Sequence, residues 1–412
     1  MFFKLLKDAL KVKNVRNKIL FTIFIIFVFR VGTHVTVPGI NAESLKQLSD
    51  LPFLNMLNLV SGNAMNNFSI FSMGVSPYIT ASIIVQLLQM DIYPKFVEWG
   101  KQGEVGRRKL NQATRYITLV LAFVQSIGIT ASFNTLSSIS LVKTPNISTY
   151  LLIGSILTAG SIIVTWLGEQ ITDKGFGNGV SMIIFSGIIA SIPKMFSTIY
   201  EDFFVNVRTG DLTRSYIIVA LLIVVGLAIV FFTTFVQQAE YQIPIQYTKL
   251  VQGAPTSSYL PLKVNPAGVI PVIFASSITT IPSTILPFFS KVTWLSHLQG
   301  LLSYNTPSGM IIYAILIILF SFFYTFVQVN PEKTAEYLQK NGSYIPSVRP
   351  GRETEKYMSS LLKRLATIGA VFLAFISLAP IAAQQFMHLT SSIALGGTSP
   401  VSYTHLTLPT KL

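Results

Sequence analysis

Nine long apolar runs dominate this chain, and they constrain its fold more than any other feature. Each holds roughly 17 to 25 residues, which is the length that a helix needs to cross a bilayer. Inside a bilayer no water can satisfy backbone N–H and C=O groups, so spanning segments are helices or closed barrels. With 51% hydrophobic and 11% charged residues, the chain is predicted to be an all-α polytopic membrane protein. The predicted spans are Ile19–Val37, Met73–Ile92, Tyr116–Phe133, Tyr150–Leu167, Asn178–Ser197, Tyr216–Val236, Ala267–Phe289, Met310–Val329 and Leu365–Met387.

The basic residues alternate from loop to loop, and this pattern predicts the orientation of the chain. They concentrate in the N-terminal segment 4–18, in the loop 95–115 and in the loop 333–364. The intervening loops 134–149 and 290–309 hold a single lysine each. Since basic loops stay on the cytoplasmic side, the N-terminus is predicted to be cytoplasmic. The formal net charge of +14 is therefore interpreted as an orientation signal rather than as a surface for nucleic acid.

Residues for catalysis or metal binding are scarce, which excludes several classes of membrane protein. The chain has no cysteine and four histidines, and no histidine stands at metal-ligand spacing from a second histidine or a carboxylate. We therefore predict no enzyme, no catalytic residue, no metal site and no cofactor, which also disfavours an intramembrane hydrolase. An ion-coupled secondary transporter is the alternative among membrane proteins without catalytic residues. Such proteins place carboxylates near the middle of the bilayer, whereas Asp91 and Glu169 lie at the ends of predicted spans.

One apolar stretch, Leu51–Ile70, is not expected to cross the membrane by itself. Five asparagines interrupt it, and an unpaired amide is costly in lipid. Two interpretations stay open at this point. The stretch forms a short helix that folds back into a cavity of the protein, or it is an extracellular loop that lies on the membrane surface.

A charged loop, Ile345–Thr354, separates the last two predicted spans. Within it Arg349 precedes Pro350 and Gly351. Proline fixes the backbone and glycine allows a tight reversal, so the loop is predicted to hold a guanidinium at its tip. A partner on the same side of the membrane could bind that group. The alternative is a solvated turn with an incidental arginine.

Ordered motifs between Phe2 and Ser399 resemble those of the SecY family of protein-conducting channels. In the first half they are FRVG at 29–32, VPGI at 37–40, GVSPYITASII at 74–84, GEVGRRK at 103–109, WLGEQIT at 166–172 and GNGVS at 177–181. In the second half they are LKVN at 262–265, AGVIP at 267–271, NP at 330–331 and RPG at 349–351. The order and length of these blocks make the resemblance specific.

The resemblance implies a fold of two pseudo-symmetric halves with five helices each, arranged as a clamshell around an hourglass pore. The first half would be 1–212, with spans one to five and a plug segment at about 54–70. The second half would be 213–400, with spans six to nine and the start of the tenth. The last helix is expected to be missing from this chain.

The resemblance also implies four groups of functional residues. The apolar pore ring comprises Val75, Ile79, Ile184 and Ile273. The plug that closes the resting pore comprises Leu57, Asn58, Val60, Ser61, Gly62 and Asn63. The lateral gate toward lipid, between the second and seventh spans, comprises Gly74, Pro77, Gln86, Gly268 and Pro271. The docking site for a motor or ribosome comprises Arg349, Pro350, Gly351 and Lys249.

The function implied by the resemblance is a channel in the bacterial cytoplasmic membrane. It would translocate unfolded secretory proteins with signal sequences and insert membrane proteins laterally into lipid. The chain has no GxxxxGK[ST] motif, so energy would come from the SecA ATPase or a translating ribosome. These partners would dock on the loops Gln237–Pro261 and Asn330–Lys356, and the first loop, with 237–242 taken as its tip, is less basic than usual. SecE and SecG are the implied membrane subunits. A specialised accessory channel for adhesins is an alternative within the family.

The last residues of the chain do not continue the apolar pattern. Residues 401–410 can be back-translated into a sequence that resembles a transposase sequencing adapter read in frame. We therefore expect 401–412 to be a non-native tail on a truncated copy of a longer protein. A further ring residue, on the tenth span, would fall at Ser402.

Overall fold

The computed structural model describes residues 11–41, 61, 64–89, 92–136, 141–142, 145–205, 212–247, 257–285, 301 and 306–387. The described chain is mostly helical. Its helices are α1 (Lys13–Gly32), α2 (Ser76–Leu88), α3 (Pro94–Lys101), α4 (Gly103–Leu136), α5 (Ile147–Lys174), α6 (Gly179–Tyr200), α7 (Leu212–Gln238), α8 (Ile270–Ile285), α9 (Pro307–Gln328), α10 (Pro331–Lys340) and α11 (Arg352–Met387). Its strands are β1 (Glu240–Tyr247), β2 (Ser257–Lys263) and β3 (Ser343–Tyr344).

Several helices begin where the local sequence supplies a cap. Helix α5 follows Asn146, whose side-chain oxygen accepts a hydrogen bond from the Ile147 amide at 2.8 Å. Helix α10 follows Asn330, whose side chain accepts from the Lys333 amide at 3.1 Å, and Pro331 is its first residue. A side-chain oxygen at the N-cap satisfies a free helix amide, and proline fits the first turn because its missing N–H is not needed there.

The described residues up to Val205 form one compact unit, which we call the first unit. Helix α4 packs against α2, α3 and α5, and α5 also packs against α1 and α6. At one end of α5 the side chains of Arg115 and Glu169 form a two-point ion pair, with N–O distances of 3.0 and 2.6 Å. At the turn into α6, the Phe176 amide donates to the Thr22 hydroxyl of α1 at 3.0 Å. These contacts hold α1, α4, α5 and α6 together.

Most of the described residues from Leu212 onward form the second unit. Helix α11 packs against α9 and α10. The strands form a three-stranded sheet in the order β2-β1-β3. The predicted helical fold is confirmed, and this small sheet is an addition that the sequence analysis did not predict.

Five helical segments of the described chain are long and apolar enough to cross a membrane. In the segment Ser215–Gln238 of α7, only 6% of the apolar 18-residue stretch is buried inside the protein. This is expected for a helix whose neighbours are lipid chains. The other four predicted spans lie on α1, α2, α6 and α8, which are shorter or more charged, so as spans they stay predictions. The five segments are Gly103–Ala131, Ile147–Lys174, Ser215–Gln238, Pro307–Lys340 and Arg352–Ala379.

The predicted end of the first span was wrong. Helix α1 ends at Gly32 and not at Val37, because the following residues turn and form a bridge between Thr36 and Ser69. Helix α6 continues through Pro193 to Tyr200, three residues beyond the predicted end at Ser197.

Candidate functional site

The first pair of predicted gate residues, Gly74 and Pro77, lies where the chain turns into α2. Gly74 has a φ of 53°, a left-handed conformation that costs a glycine little. Pro77 lies in the first turn of α2. Both residues were predicted inside a span that starts at Met73, but the helix begins only at Ser76. The turn therefore stands at the entrance of the helix and not within it.

Helix α5 holds this turn by two contacts between residues far apart in sequence. The Ser161 hydroxyl donates a hydrogen bond to the Gly74 carbonyl at 3.0 Å, and both groups are buried. A Cβ added at Gly160 would collide with the Ile70 carbonyl oxygen. The absence of a side chain at 160 thus lets the backbone at Ile70 approach α5, and the hydroxyl at 161 fixes the backbone at Gly74.

Three of the four predicted ring residues belong to one hydrophobic cluster of the first unit. Val75 is fully buried in it. Ile79 of α2 and Ile184 of α6 pack against it and are half-buried. Beneath them the rings of Phe29 and Phe71 stack with centroids 5.9 Å apart. Val75, Ile79 and Ile184 thus share one hydrophobic cluster of the first unit.

The second unit repeats the pattern of the first at the start of α8. Gly268 has a φ of 63°, its carbonyl accepts from the Asn265 side-chain amide at 3.2 Å, and Pro271 is the second residue of α8. Phe274 packs edge-on against Phe320 of α9, with centroids 5.7 Å apart, while the neighbouring Ile273 is half-buried. As with Gly74 and Pro77, these gate residues lie at the start of the helix. The helix begins at Ile270, whereas the predicted span starts at Ala267.

A repeated motif underlies both sites, and the sequence analysis missed it. Residues 74–79 read Gly-Val-Ser-Pro-Tyr-Ile, and residues 268–273 read Gly-Val-Ile-Pro-Val-Ile. In both copies the glycine has a positive φ, the helix starts two residues later, and the final isoleucine is half-buried. The signal Gly-Val-x-Pro-x-Ile was readable from the sequence as an internal repeat.

The remaining gate residue, Gln86, lies on α2 and is only partly satisfied. Its Nε2 donates to the Ser82 hydroxyl at 3.5 Å, whereas its buried Oε1 has no hydrogen-bond partner among the described residues. Of the plug residues, Leu57, Asn58, Val60, Gly62 and Asn63 lie outside the described residues. Ser61 and most of 64–70 are buried, which agrees with a segment folded into the first unit rather than spread on a surface.

The two loops predicted to dock a partner are joined in one sheet of the second unit. Strand β1 pairs with β2 in its own loop and with β3 of the later loop, where Gln246 faces Tyr344. The Tyr344 hydroxyl donates to Gln246 Oε1 at 3.0 Å. The prediction that 237–242 form a loop tip was wrong, because 237 and 238 end α7 and 240–242 begin β1.

A hydrophobic cluster packs against one face of this sheet. We call the sheet and the cluster together the platform. In β1 the alternate residues Ile243 and Ile245 are buried, while Gln242, Pro244 and Gln246 are exposed. This alternation is typical of a strand with one covered face. The cluster that covers it comprises Ile243, Ile245, Leu262, Leu338, Ile345, Met358, Leu362 and Leu365.

Arg349 projects from the edge of this platform. Its side chain is exposed, and the ion pairs of the described residues do not include it. Gly351 has a φ of 96°, as the predicted reversal requires. Between the buried Ile345 and Arg349 the chain turns through a hydrogen bond from the Val348 amide to the Ile345 carbonyl at 3.1 Å. Lys249, the other predicted docking cation, lies outside the described residues.

Other kinds of site find no support in the described chain. No group of three or more His, Asp or Glu side chains in the described residues is close enough to hold a metal ion. Within the first unit the structure shows a hydrophobic cluster that includes three predicted ring residues. Within the second unit it shows a similar helix start at α8 and an exposed cation next to a packed hydrophobic cluster.

Comparison with known sequences identifies close relatives over nearly the whole chain. A model of the SecY family matches residues 69–405. The protein translocase subunit SecY of Streptococcus gordonii is 70% identical over 403 residues, which cover 97% of this chain and 92% of the relative. The subunit of the same name from Lactococcus lactis subsp. lactis is 67% identical over 404 residues, covering 97% and 92%.

Solved structures share the fold at much lower sequence identity. One described as the structure of a protein conducting channel has a TM-score of 0.63 at 16% identity, over 95% of this chain and 89% of its own. Sec61 in the canine ribosome-channel complex from the endoplasmic reticulum has a TM-score of 0.58 at 15% identity, over 95% and 89%.

Proposed function

Because the chain belongs to the SecY family, we propose that it is the channel subunit of a protein translocase. It moves unfolded secretory proteins across a membrane and releases membrane proteins sideways into lipid. The observation that carries this proposal is that Val75, Ile79 and Ile184 share one hydrophobic cluster, while Ile273 takes the matching place in the repeated motif of the second unit.

An apolar constriction suits a channel for unfolded chains. A narrow apolar neck loses its water when empty, so ions do not pass. When occupied, aliphatic side chains close loosely around any passing sequence, because they offer no specific hydrogen bonds. We assign the half-buried Ile79, Ile184 and Ile273 to this ring, with Val75 as the buried support beside them.

A lateral exit would sort segments by their hydrophobicity. On insertion scales about ten leucine-like residues gain on the order of 3–6 kcal/mol in lipid, whereas one central charge costs about 3 kcal/mol. Apolar signal segments would therefore leave into lipid, and polar segments would pass through. We assign this exit to α2 and α8, because Gly74 and Gly268, two residues before these helices start, give the backbone there the freedom of glycine.

The platform around Arg349 is the proposed docking surface for the energy source. An exposed guanidinium with five donors suits a carboxylate or a phosphate of a partner. We propose the SecA ATPase and the translating ribosome as the partners there. We propose SecE and SecG as the membrane subunits of the assembly.

The chain is a multi-pass membrane protein, and we place it in the bacterial cytoplasmic membrane. The basic loops support a cytoplasmic N-terminus. In this orientation the loop that carries Arg349 faces the cytoplasm, where a motor or ribosome would reach it. No enzymatic reaction is proposed for the chain, because its relatives are subunits of a protein translocase, which is a transport role.

Polar substitutions in the ring test the channel proposal. Replacing Ile79, Ile184 and Ile273 with serine should raise the ion conductance of the resting channel in planar bilayers, because water would wet the neck. Ile163→Ser is the matched control, since Ile163 lies on α5 and is exposed. Conductance that stays at the level of the control in the triple variant would contradict the assignment of the ring.

A further inference from the structure

Among the described residues no ion pair orients the exposed Arg349 side chain, so its position depends on its backbone. An arginine side chain has many rotamers, and part of this freedom is lost when a partner binds it. A mobile backbone would add to that loss. Binding is therefore favoured when the loop already holds Arg349 in place.

The loop is fixed on the side that precedes Arg349. Ile345 is buried in the platform cluster, and Val348 packs against the same cluster. Ser347 between them has a φ of 69°, which a residue with a side chain adopts only when its surroundings impose it. Arg349 is itself restricted to extended conformations because a proline follows it.

On the side that follows Arg349, a buried hydroxyl ties the backbone of Arg349 to α11. Thr354 Oγ1 donates a hydrogen bond to the Arg349 carbonyl at 2.9 Å. Thr354 is 2% exposed and lies in the first turn of α11. That helix is anchored by Met358 and Leu362, both fully buried in the platform cluster. The hydroxyl therefore connects the backbone of the docking residue to the rigid part of the platform.

We infer that Thr354 is a positioning residue for Arg349 and sets how tightly the platform binds its cytoplasmic partner. The inference rests on the proposed docking role of Arg349. Pro350 restricts the loop locally, and the Gly351 carbonyl accepts from the Glu355 amide of α11 at 3.1 Å, but neither acts on the Arg349 carbonyl. The Thr354 hydroxyl supplies the link between Arg349 itself and α11 among the described residues, and this side chain is not available to the partner because it is buried.

The test uses the full chain assembled in inverted membrane vesicles, and it measures translocation of a reporter secretory protein against SecA concentration. Thr354→Val keeps the shape of the side chain and removes the donor. Since a net hydrogen bond is worth about 1 kcal/mol, the half-saturating SecA concentration should rise about three- to tenfold, with the maximal rate unchanged. Thr354→Ser, which keeps the hydroxyl, should restore the wild-type value.

A matched control lies on the same helix. Thr367 Oγ1 donates to the Lys363 carbonyl at 2.9 Å, but Thr367 is exposed. Thr367→Val should leave the half-saturating concentration unchanged. If the half-saturating SecA concentration of Thr354→Val is the same as that of Thr367→Val, the positioning role is overturned. If Thr354→Val does not accumulate in the membrane, Thr354→Ser decides, because a raised half-saturating concentration with the hydroxyl retained would also overturn the inference.

Two further measurements separate this inference from the docking proposal on which it rests. Arg349→Glu should abolish SecA-driven translocation, and normal translocation in that variant would refute docking itself. The chain has no cysteine, so a spin label on Arg352→Cys reports the start of α11 without background. The label should become more mobile in Thr354→Val but not in Thr354→Ser. Equal mobility in both would refute the positioning role even if docking holds.

Discussion

The hydrogen bond between Ser161 and Gly74 allows a quantitative prediction about channel opening. The bond is 3.0 Å long, and it joins α5 to the turn that precedes α2. The proposed exit lies at α2 and α8, and we predict that it opens by movement of α2 away from α5, so that the bond exists in the closed state and is lost in the open one. Ser161→Ala then destabilises only the closed state. A buried carbonyl without its donor costs about 1–3 kcal/mol, which corresponds to an open-to-closed ratio about 5- to 150-fold higher.

Planar bilayers that contain the channel without a motor are the appropriate assay for Ser161→Ala. The quantity to measure is the open probability at rest. Ser155→Ala is the control, because the Ser155 hydroxyl donates to Leu151 within the same helix at 2.8 Å and is exposed. An open probability in Ser161→Ala no higher than in Ser155→Ala would show that the turn at Gly74 stays with α5 during opening, and the reasoning would be refuted.

Two other predictions concern the platform and the gate. Ile243→Ala empties a fully buried position beneath the sheet and should destabilise the platform by about 2–5 kcal/mol; hydrogen exchange of the β1 amides should accelerate, whereas the exposed Gln242→Ala should leave it unchanged. Cysteines at Ser82 on α2 and Ser276 on α8 should crosslink in the resting channel and less so when a signal segment occupies it, while a pair at Ser155 and Ser276 should not. A crosslink that occupancy does not alter would count against the proposed exit.

Much of the helical fold was predictable because its signals are local. Apolar runs indicate segments that are buried or in contact with lipid, and Asn330 and Pro331 mark the start of α10. The reversal at Arg349 was also predictable, since proline and glycine restrict their own backbone whatever surrounds them. The boundaries of α1 and α6 were less predictable, because apolar residues continue past the end of one helix and proline does not always stop the other.

The parts of the site that sequence reasoning missed depend on partners distant along the chain. Ile243 and Ile245 alternate with polar residues in only a short segment, so their strand was read as part of a loop. Thr354 looks like any residue in a first helical turn until the Arg349 carbonyl is found beside it. The repeated Gly-Val-x-Pro-x-Ile motif was visible in the sequence, but its meaning lies in two matching helix starts.

The sequence by itself determined a helical membrane protein with alternating basic loops, the SecY family and an arginine at a tight turn. These properties follow from hydropathy, charge and backbone restriction, which each residue carries regardless of its neighbours in space. Only the tertiary structure decided that the two loops predicted to dock a partner share one sheet, through residues such as Gln246 and Tyr344. It also decided that Ser161 holds Gly74 from 87 residues away. Such contacts form when packing brings distant backbone groups to hydrogen-bond distance, and no local propensity encodes that distance.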